Sequence, residues 1–363
     1  MTWLAPFRRQ TAAGAVIPCQ QRTAHHENPK LFRRRPCKGG CLTPSKFIGH
    51  LCAPAKVANV SSAPMTGKST STSVKWPGAV LGNQNLTPVN TVQPNLPIGV
   101  FDSGVGGLTV AAALRRQLPG ESLLYLGDLA RLPYGTKSPA TVVRYALNAA
   151  SFLVARGIKM LVVACNTASA HALAALSAAH PELTVLGVVE AGAAVAAARS
   201  PRGRIVVAAT EGTCRSGAFA RAILAHRPDA RVAQVPCPMF VALAEEGLTE
   251  GPIAEDMARH YLGEYFQGPE AADCLVLGCT HFPLLASSLR RVLGEGTVLV
   301  DCAEAVAAQA GAALARQGLA APAGAAGGLS LIATDAPDRF ARIATRLFPA
   351  LGPVPAVELA NLL

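Results

Sequence analysis

Two cysteines stand in matched settings. Leu161-Val162-Val163-Ala164-Cys165-Asn166-Thr167 and Leu275-Val276-Leu277-Gly278-Cys279-Thr280-His281 each run from an apolar stretch through a cysteine into polar residues that open a helical pattern. A lone cysteine of this kind is usually a small buried hydrophobe, and only the recurrence of the setting favours chemistry. If the two segments face each other across a ligand, the thiols approach one carbon from opposite sides. One, as thiolate, then removes a proton from that carbon while the other, as thiol, delivers a proton to the opposite face. Placement ahead of a helix N-terminus would favour the thiolate relative to its ordinary pKa of about 8.5. A redox pair would normally bring its cysteines close in sequence. A metal held by Cys165, Cys279 and His281 would need a further ligand, for which Thr280 and Asn166 are poor donors, so no metal is expected.

The elements that must position these thiols are legible from Pro97 onward. Short apolar runs at 98–101, 123–126, 160–164, 184–188, 204–208, 231–235, 274–277 and 297–300 alternate with Ala- and Leu-rich helical stretches. Near-continuous Val, Leu and Ile runs suit parallel strands covered on both faces. The repeat extends upstream of each cysteine, Phe101-Asp102-Ser103-Gly104 corresponding to Ala209-Thr210-Glu211-Gly212-Thr213. The fold class expected is α/β, with two pseudosymmetric α/β domains whose mostly parallel sheets face a central cleft. Residues 97–188 plus 299–363 would form the first domain and 189–298 the second. In such sheets ligands bind beyond the carboxyl ends of the strands, which is where both cysteines fall. Gly104-Val105-Gly106-Gly107 resembles a dinucleotide fingerprint but has Thr109 at its third glycine position, so no nucleotide is expected there.

Of 363 residues, half are apolar and only 15% are charged, which excludes a disordered chain. No window of about twenty residues is apolar throughout, so a soluble, cytoplasmic protein is expected rather than a membrane-spanning one. The net charge of +11 is unevenly placed. Residues 1–96 carry 12 Lys and Arg with a single acidic residue, Glu27, leaving 21 basic and 21 acidic residues beyond. This aperiodic segment reads as a disordered basic leader. It could be a nucleic-acid-binding arm built on Arg33-Arg34-Arg35, an organellar transit peptide, or upstream sequence ahead of a start near Met65. Its cysteines at 19, 37, 41 and 52 match no strong zinc pattern.

Several motifs together carry a family resemblance. They are the stretch Ile98-Gly99-Val100-Phe101-Asp102-Ser103-Gly104-Val105-Gly106-Gly107-Leu108-Thr109-Val110, then Tyr125-Leu126-Gly127-Asp128, Pro133-Tyr134-Gly135, Ala164-Cys165-Asn166-Thr167-Ala168 and Leu277-Gly278-Cys279-Thr280-His281. From Pro97 to about Leu319 the chain resembles the glutamate racemases, cofactor-independent enzymes that make D-glutamate for peptidoglycan, and Ala333-Thr334-Asp335 resembles a tail of some members. Residues 1–96 match nothing in that family, and Ala191-Gly192 stands where members usually have Pro-Gly.

The resemblance implies that Cys165 deprotonates D-glutamate and Cys279 deprotonates L-glutamate. It implies Asp102 beside Cys165, and His281 with Glu245 beside Cys279, as groups that assist proton transfer. Asp102, Ser103, Tyr134, Gly135, Asn166, Thr167, Thr213, Thr280 and His281 would hold the substrate, with no cofactor. The expected partner is glutamate, with a homodimer open, no membrane, and no nucleic acid for the core. A racemase of aspartate or another acidic amino acid is the near alternative. A protein associated with gyrase or DNA is the alternative of a different class.

Overall fold

The computed structural model describes residues 92–362, all within one compact unit. Ten strands and eleven α-helices alternate along them. In chain order they are β1 (Ile98–Asp102), α1 (Leu108–Gln117), β2 (Leu123–Gly127), α2 (Pro139–Ala155), β3 (Met160–Val163), α3 (Asn166–Ala179), β4 (Thr184–Gly187) and α4 (Val188–Arg199). There follow β5 (Arg204–Ala209), α5 (Glu211–Ser216), α6 (Ala218–His226), β6 (Arg231–Pro236), α7 (Pro238–Glu246), α8 (Pro252–Leu262), β7 (Cys274–Gly278), α9 (Ala286–Leu293) and β8 (Val298–Asp301). The last elements are α10 (Cys302–Gln317), β9 (Leu329–Ala333), α11 (Pro337–Leu347) and β10 (Val357–Leu359).

Two sheets result, ordered β10-β9-β2-β1-β3-β4 and β6-β5-β7-β8. Every pairing in both is parallel. The internal repeat is visible in these orders. Each half places its second, first, third and fourth strands side by side, and the first sheet adds β9 and β10 on its β2 edge. Strands β1, β3 and β7 are buried along their whole length, as their unbroken apolar runs require. The connections α4 and α10 pack on each other at a contact so close that a Cβ on Gly192 would lie against Cys302 Sγ. One core cluster runs through residues of both sheets, including Val100, Val162, Val207 and Val276.

Two expected boundaries are corrected. The domain boundary expected between 298 and 299 cuts through β8, which pairs with β7 along Val298–Asp301 in the four-stranded sheet. The crossing back occurs instead at Asp301, whose side chain accepts from Ala303 N–H at 2.8 Å and caps α10. The leader does not extend to residue 96. Lys159, 1% exposed at the start of β3, pairs with Glu121 at 2.5 Å and donates to the carbonyls of Pro94 and Leu319 at 2.5 and 2.8 Å. A buried ammonium needs such acceptors, so residues 92–96 belong to the folded part, and Val92 packs against its core. The readings of residues 1–91 as a disordered leader, nucleic-acid arm, transit peptide, zinc ligand set or upstream sequence lie outside the described residues.

Candidate active site

In both sheets the strands end at the same edge of chemistry. Asp102 closes β1 and Cys165 follows β3, its neighbour; Thr210 follows β5 and Cys279 follows β7, its neighbour. Because a parallel pair aligns strand ends in register, the sequence repeat becomes a spatial one. Cys165 and Cys279 are 5% and 7% exposed, and each lies within electrostatic reach of the other. All six described cysteines are free thiols. Cys214 is half-buried and Cys237, Cys274 and Cys302 are buried; Cys237 and Cys302 also follow strands, β6 and β8, but those are not the central strands that carry Cys165 and Cys279.

Around Cys165, Ser103 Oγ accepts from the thiol at 3.6 Å. Asp102 is buried, with Oδ2 accepting from Gly104 N–H at 2.9 Å. Its carboxyl is raised in pKa by burial, against the lowering influence of His281 and of nearby backbone N–H groups. The expected thiolate preference at this helix start is overturned. Cys165 does form the N-cap of α3, and the Ala168 amide favours its anion, but burial and then the Asp102 charge push the thiol up to about 12. The partial charge of one helix end is outweighed by removal of the sulfur from water beside a carboxylate.

Around Cys279 the arrangement differs. No α-helix starts directly after it: a turn at Thr280-His281 leads into a 3₁₀ segment, Phe282–Leu285, before α9. The positive charge comes from a side chain. His281 Nδ1 lies 3.7 Å from Cys279 Sγ, and His281 Nε2 lies 3.4 Å from Glu245 Oε1. Burial works against an imidazolium, but the contacts with Cys279 and Glu245 override it and carry His281 up to about 10. Glu245 is in turn lowered, first by its bond to His281. Cys165 thus lies beside a buried carboxylate, and Cys279 beside a buried histidine.

The halves meet closely here. Thr109 Oγ1 donates to the Thr280 carbonyl at 3.2 Å. A Cβ on Gly106 would lie 2.5 Å from Thr280 Oγ1, and one on Gly135 would lie 2.8 Å from Thr210. Thr167, Thr210 and Thr213 form a triangle of hydroxyls at 3.0, 3.1 and 3.0 Å. Thr210 was not anticipated among the site residues, although its place in the repeat, opposite Asp102, was the available signal. Asp128 was missed as well. It is fully buried and accepts from Tyr134 Oη at 2.5 Å, Arg131 Nε at 2.7 Å and Thr334 Oγ1 at 2.9 Å. Tyr134 therefore turns its hydroxyl towards Asp128, leaving the adjoining backbone of Gly135 against Thr210. Asp102 Oδ1 and Asn166 Nδ2 are buried without a hydrogen-bond partner, an arrangement expected where a polar ligand completes the bonding.

Among the described residues no three His, Cys, Asp or Glu side chains come together as metal ligands. The chemistry available is proton transfer between two thiols, with hydroxyls, amides and the α3 N-terminus as neutral donors to carboxylates.

Comparison with known proteins agrees with this geometry. The Asp/Glu/Hydantoin racemase family profile matches residues 106–310. The glutamate racemase of Geobacter metallireducens is 48% identical over 263 residues, covering 72% of this chain and 96% of that protein. Among solved structures, glutamate racemase from Thermus thermophilus in complex with β-chloro-D-alanine superposes with a TM-score of 0.66 at 43% identity, covering 74% of this chain and 98% of that one. The Francisella tularensis enzyme in complex with D-glutamate gives 0.68 at 33% identity, with the same coverages. The opposed strand-end cysteines thus sit in a fold and sequence shared with these enzymes along nearly their full length, and the chain belongs to the glutamate racemases of the Asp/Glu/hydantoin racemase family.

Proposed function

We infer that this chain interconverts L-glutamate and D-glutamate by two-thiol proton transfer at the α-carbon, supplying D-glutamate for peptidoglycan in the cytoplasm. The observation that supports it most is the pair of buried cysteines at matched strand ends, Cys165 bonded to Ser103 Oγ at 3.6 Å and Cys279 Sγ lying 3.7 Å from His281 Nδ1. With L-glutamate bound, the Cys279 sulfur takes the α-proton with His281 as its counter-charge. Cys165 then gives its own proton to the opposite face of the carbanion. One S–H bond forms at Cys279 and one breaks at Cys165, so the product complex is left with the complementary protonation. From D-glutamate the roles exchange, with Cys165 as the base and Asp102 beside it.

The carbanion and the α-carboxylate require donors that stay neutral. Asn166, Thr167 and Thr280, with Ser103 and the first amides of α3, are of the right type, and a lysine among them would depress both thiols indiscriminately. A distal carboxylate held by Thr213 or Gly135 would favour glutamate over aspartate, since the shorter acid leaves those donors unpaired. No described helix is long and apolar enough to cross a membrane.

The test is circular dichroism of the purified protein with L-glutamate, D-glutamate and L-aspartate separately, without added cofactor. Decay of both glutamate signals to zero is the expected result. Faster decay of aspartate would select a racemase of that acid, and no decay with any of them would favour a binding role.

A further inference from the structure

The C-terminal helix α11 lies outside the stretch matched by the family profile, yet it touches the acid/base machinery. Its inward face carries Phe340, Ile343 and Ala344, all buried. Phe340 packs on Tyr125 with ring centroids 6.0 Å apart, and Tyr125 donates to the Gly104 carbonyl at 2.9 Å. The helix is therefore seated on the first sheet, directly behind the loop that follows Asp102. Its basic face reaches to the other half of the molecule. Arg339 Nη2 lies 3.8 Å from Glu245 Oε2, and Arg346 donates to the backbone carbonyl of Glu245. Arg346 also lies against Gly247, the left-handed residue that terminates α7.

Glu245 is consequently divided between two cations, Oε1 towards His281 at 3.4 Å and Oε2 towards Arg339 at 3.8 Å. We propose that Arg339 is a positioning residue for racemisation, which holds the Glu245 carboxylate turned so that it supports His281 beside Cys279, while Arg346 fixes the turn from which Glu245 projects. A carboxylate on the last turn of a helix sits at the unfavourable end of the dipole. It is also free to rotate to water, since its side chain is 23% exposed. The cations from α11 offset both tendencies. The inference rests on the reading of Cys279 and His281 as a proton-carrying pair.

Arg339 is more than half exposed, so its replacement leaves the fold in place, and the full chain can be assayed. The glutamate racemisation rate is followed for Arg339→Gln, Arg339→Lys, Glu245→Gln and the double variant Arg339→Gln/Glu245→Gln, each across a pH series. Arg339→Gln should lower kcat/KM by about fivefold, the scale of one partly exposed ion pair, and should move the acid limb of the profile to higher pH, because a carboxylate that loses a cation becomes easier to protonate. Arg339→Lys should restore most of the rate. In the Glu245→Gln background, Arg339→Gln should change the rate by less than about twofold. The proposal is overturned if Arg339→Gln has wild-type rate and pH profile, or if its effect is undiminished when Glu245 is already glutamine. Either result leaves the two-thiol reading standing, since that reading is judged separately by the cysteine variants.

Discussion

Replacing Gly106 by alanine should disable the Cys279 side without altering any titratable residue. A Cβ at Gly106 would lie 2.5 Å from Thr280 Oγ1 and 2.6 Å from both Cε1 and Nδ1 of His281. Ordinary contact needs ~3.5 Å, so the ring must withdraw by roughly 1 Å. It has little room to do so, being 7% exposed and held between Cys279 and Glu245, and the atom displaced is Nδ1, the one 3.7 Å from the Cys279 sulfur. A displacement of that size in an acid/base pair corresponds to about 10²-fold in rate, or ~2.7 kcal/mol in the barrier. Overpacking should also lower stability by about 1–3 kcal/mol, so thermal melts accompany the kinetics. Gly104→Ala is the control: its Cβ would meet only Leu132, at 3.9 Å. The assay is circular dichroism starting from each enantiomer. Because racemisation has an equilibrium constant of one, kcat/KM must fall by the same factor in both directions, which checks the measurement internally. A folded Gly106→Ala protein with kcat/KM within about threefold of wild type would refute the reasoning that this contact sets the His281 geometry.

Cys165→Ala and Cys279→Ala should each lower racemisation by roughly 10² to 10⁴. In D₂O, Cys165→Ala should still exchange the α-proton of L-glutamate through Cys279 without inverting it; inversion at an undiminished rate would defeat the two-thiol assignment. Because His281 is raised to about 10, above its ordinary value of about 6.5, its contribution to stability is complete below pH 6.5 and disappears as pH climbs towards 10. Urea titrations of wild type and His281→Asn should therefore converge over that interval, and a constant gap would contradict the paired imidazolium. Lys159→Met leaves Glu121 buried without its 2.5 Å partner and should lower stability by about 3–5 kcal/mol, while turnover at low temperature is retained because the pair sits at the opposite end of β3 from Cys165. A protein lacking residues 1–96 should melt below one lacking 1–91, since only the former loses the Pro94 carbonyl that Lys159 uses; equal melting temperatures would show that bond to be dispensable.

The sequence by itself determined the α/β class, the eight strands of the repeat, and the two cysteines as the points of interest. Those are local properties: unbroken apolar runs form buried parallel strands, and a polar break after each run marks a strand end. Strands β9 and β10 escaped, since five residues behind a glycine-rich stretch and a segment of three carry too little periodicity to stand out. Only the tertiary structure decided which groups surround each thiol. Position before a helix suggested equivalent, activated thiols, but Cys165 is governed by burial and by Asp102, brought beside it by the pairing of β1 with β3. Cys279 is served by His281 two residues on and by Glu245 from a separate helix. Asp128, Thr210 and Arg339 likewise make their contacts with segments distant in sequence. Propensity and hydrophobic pattern act along the chain, whereas the field at a sulfur atom sums over whatever the fold places within a few ångströms of it.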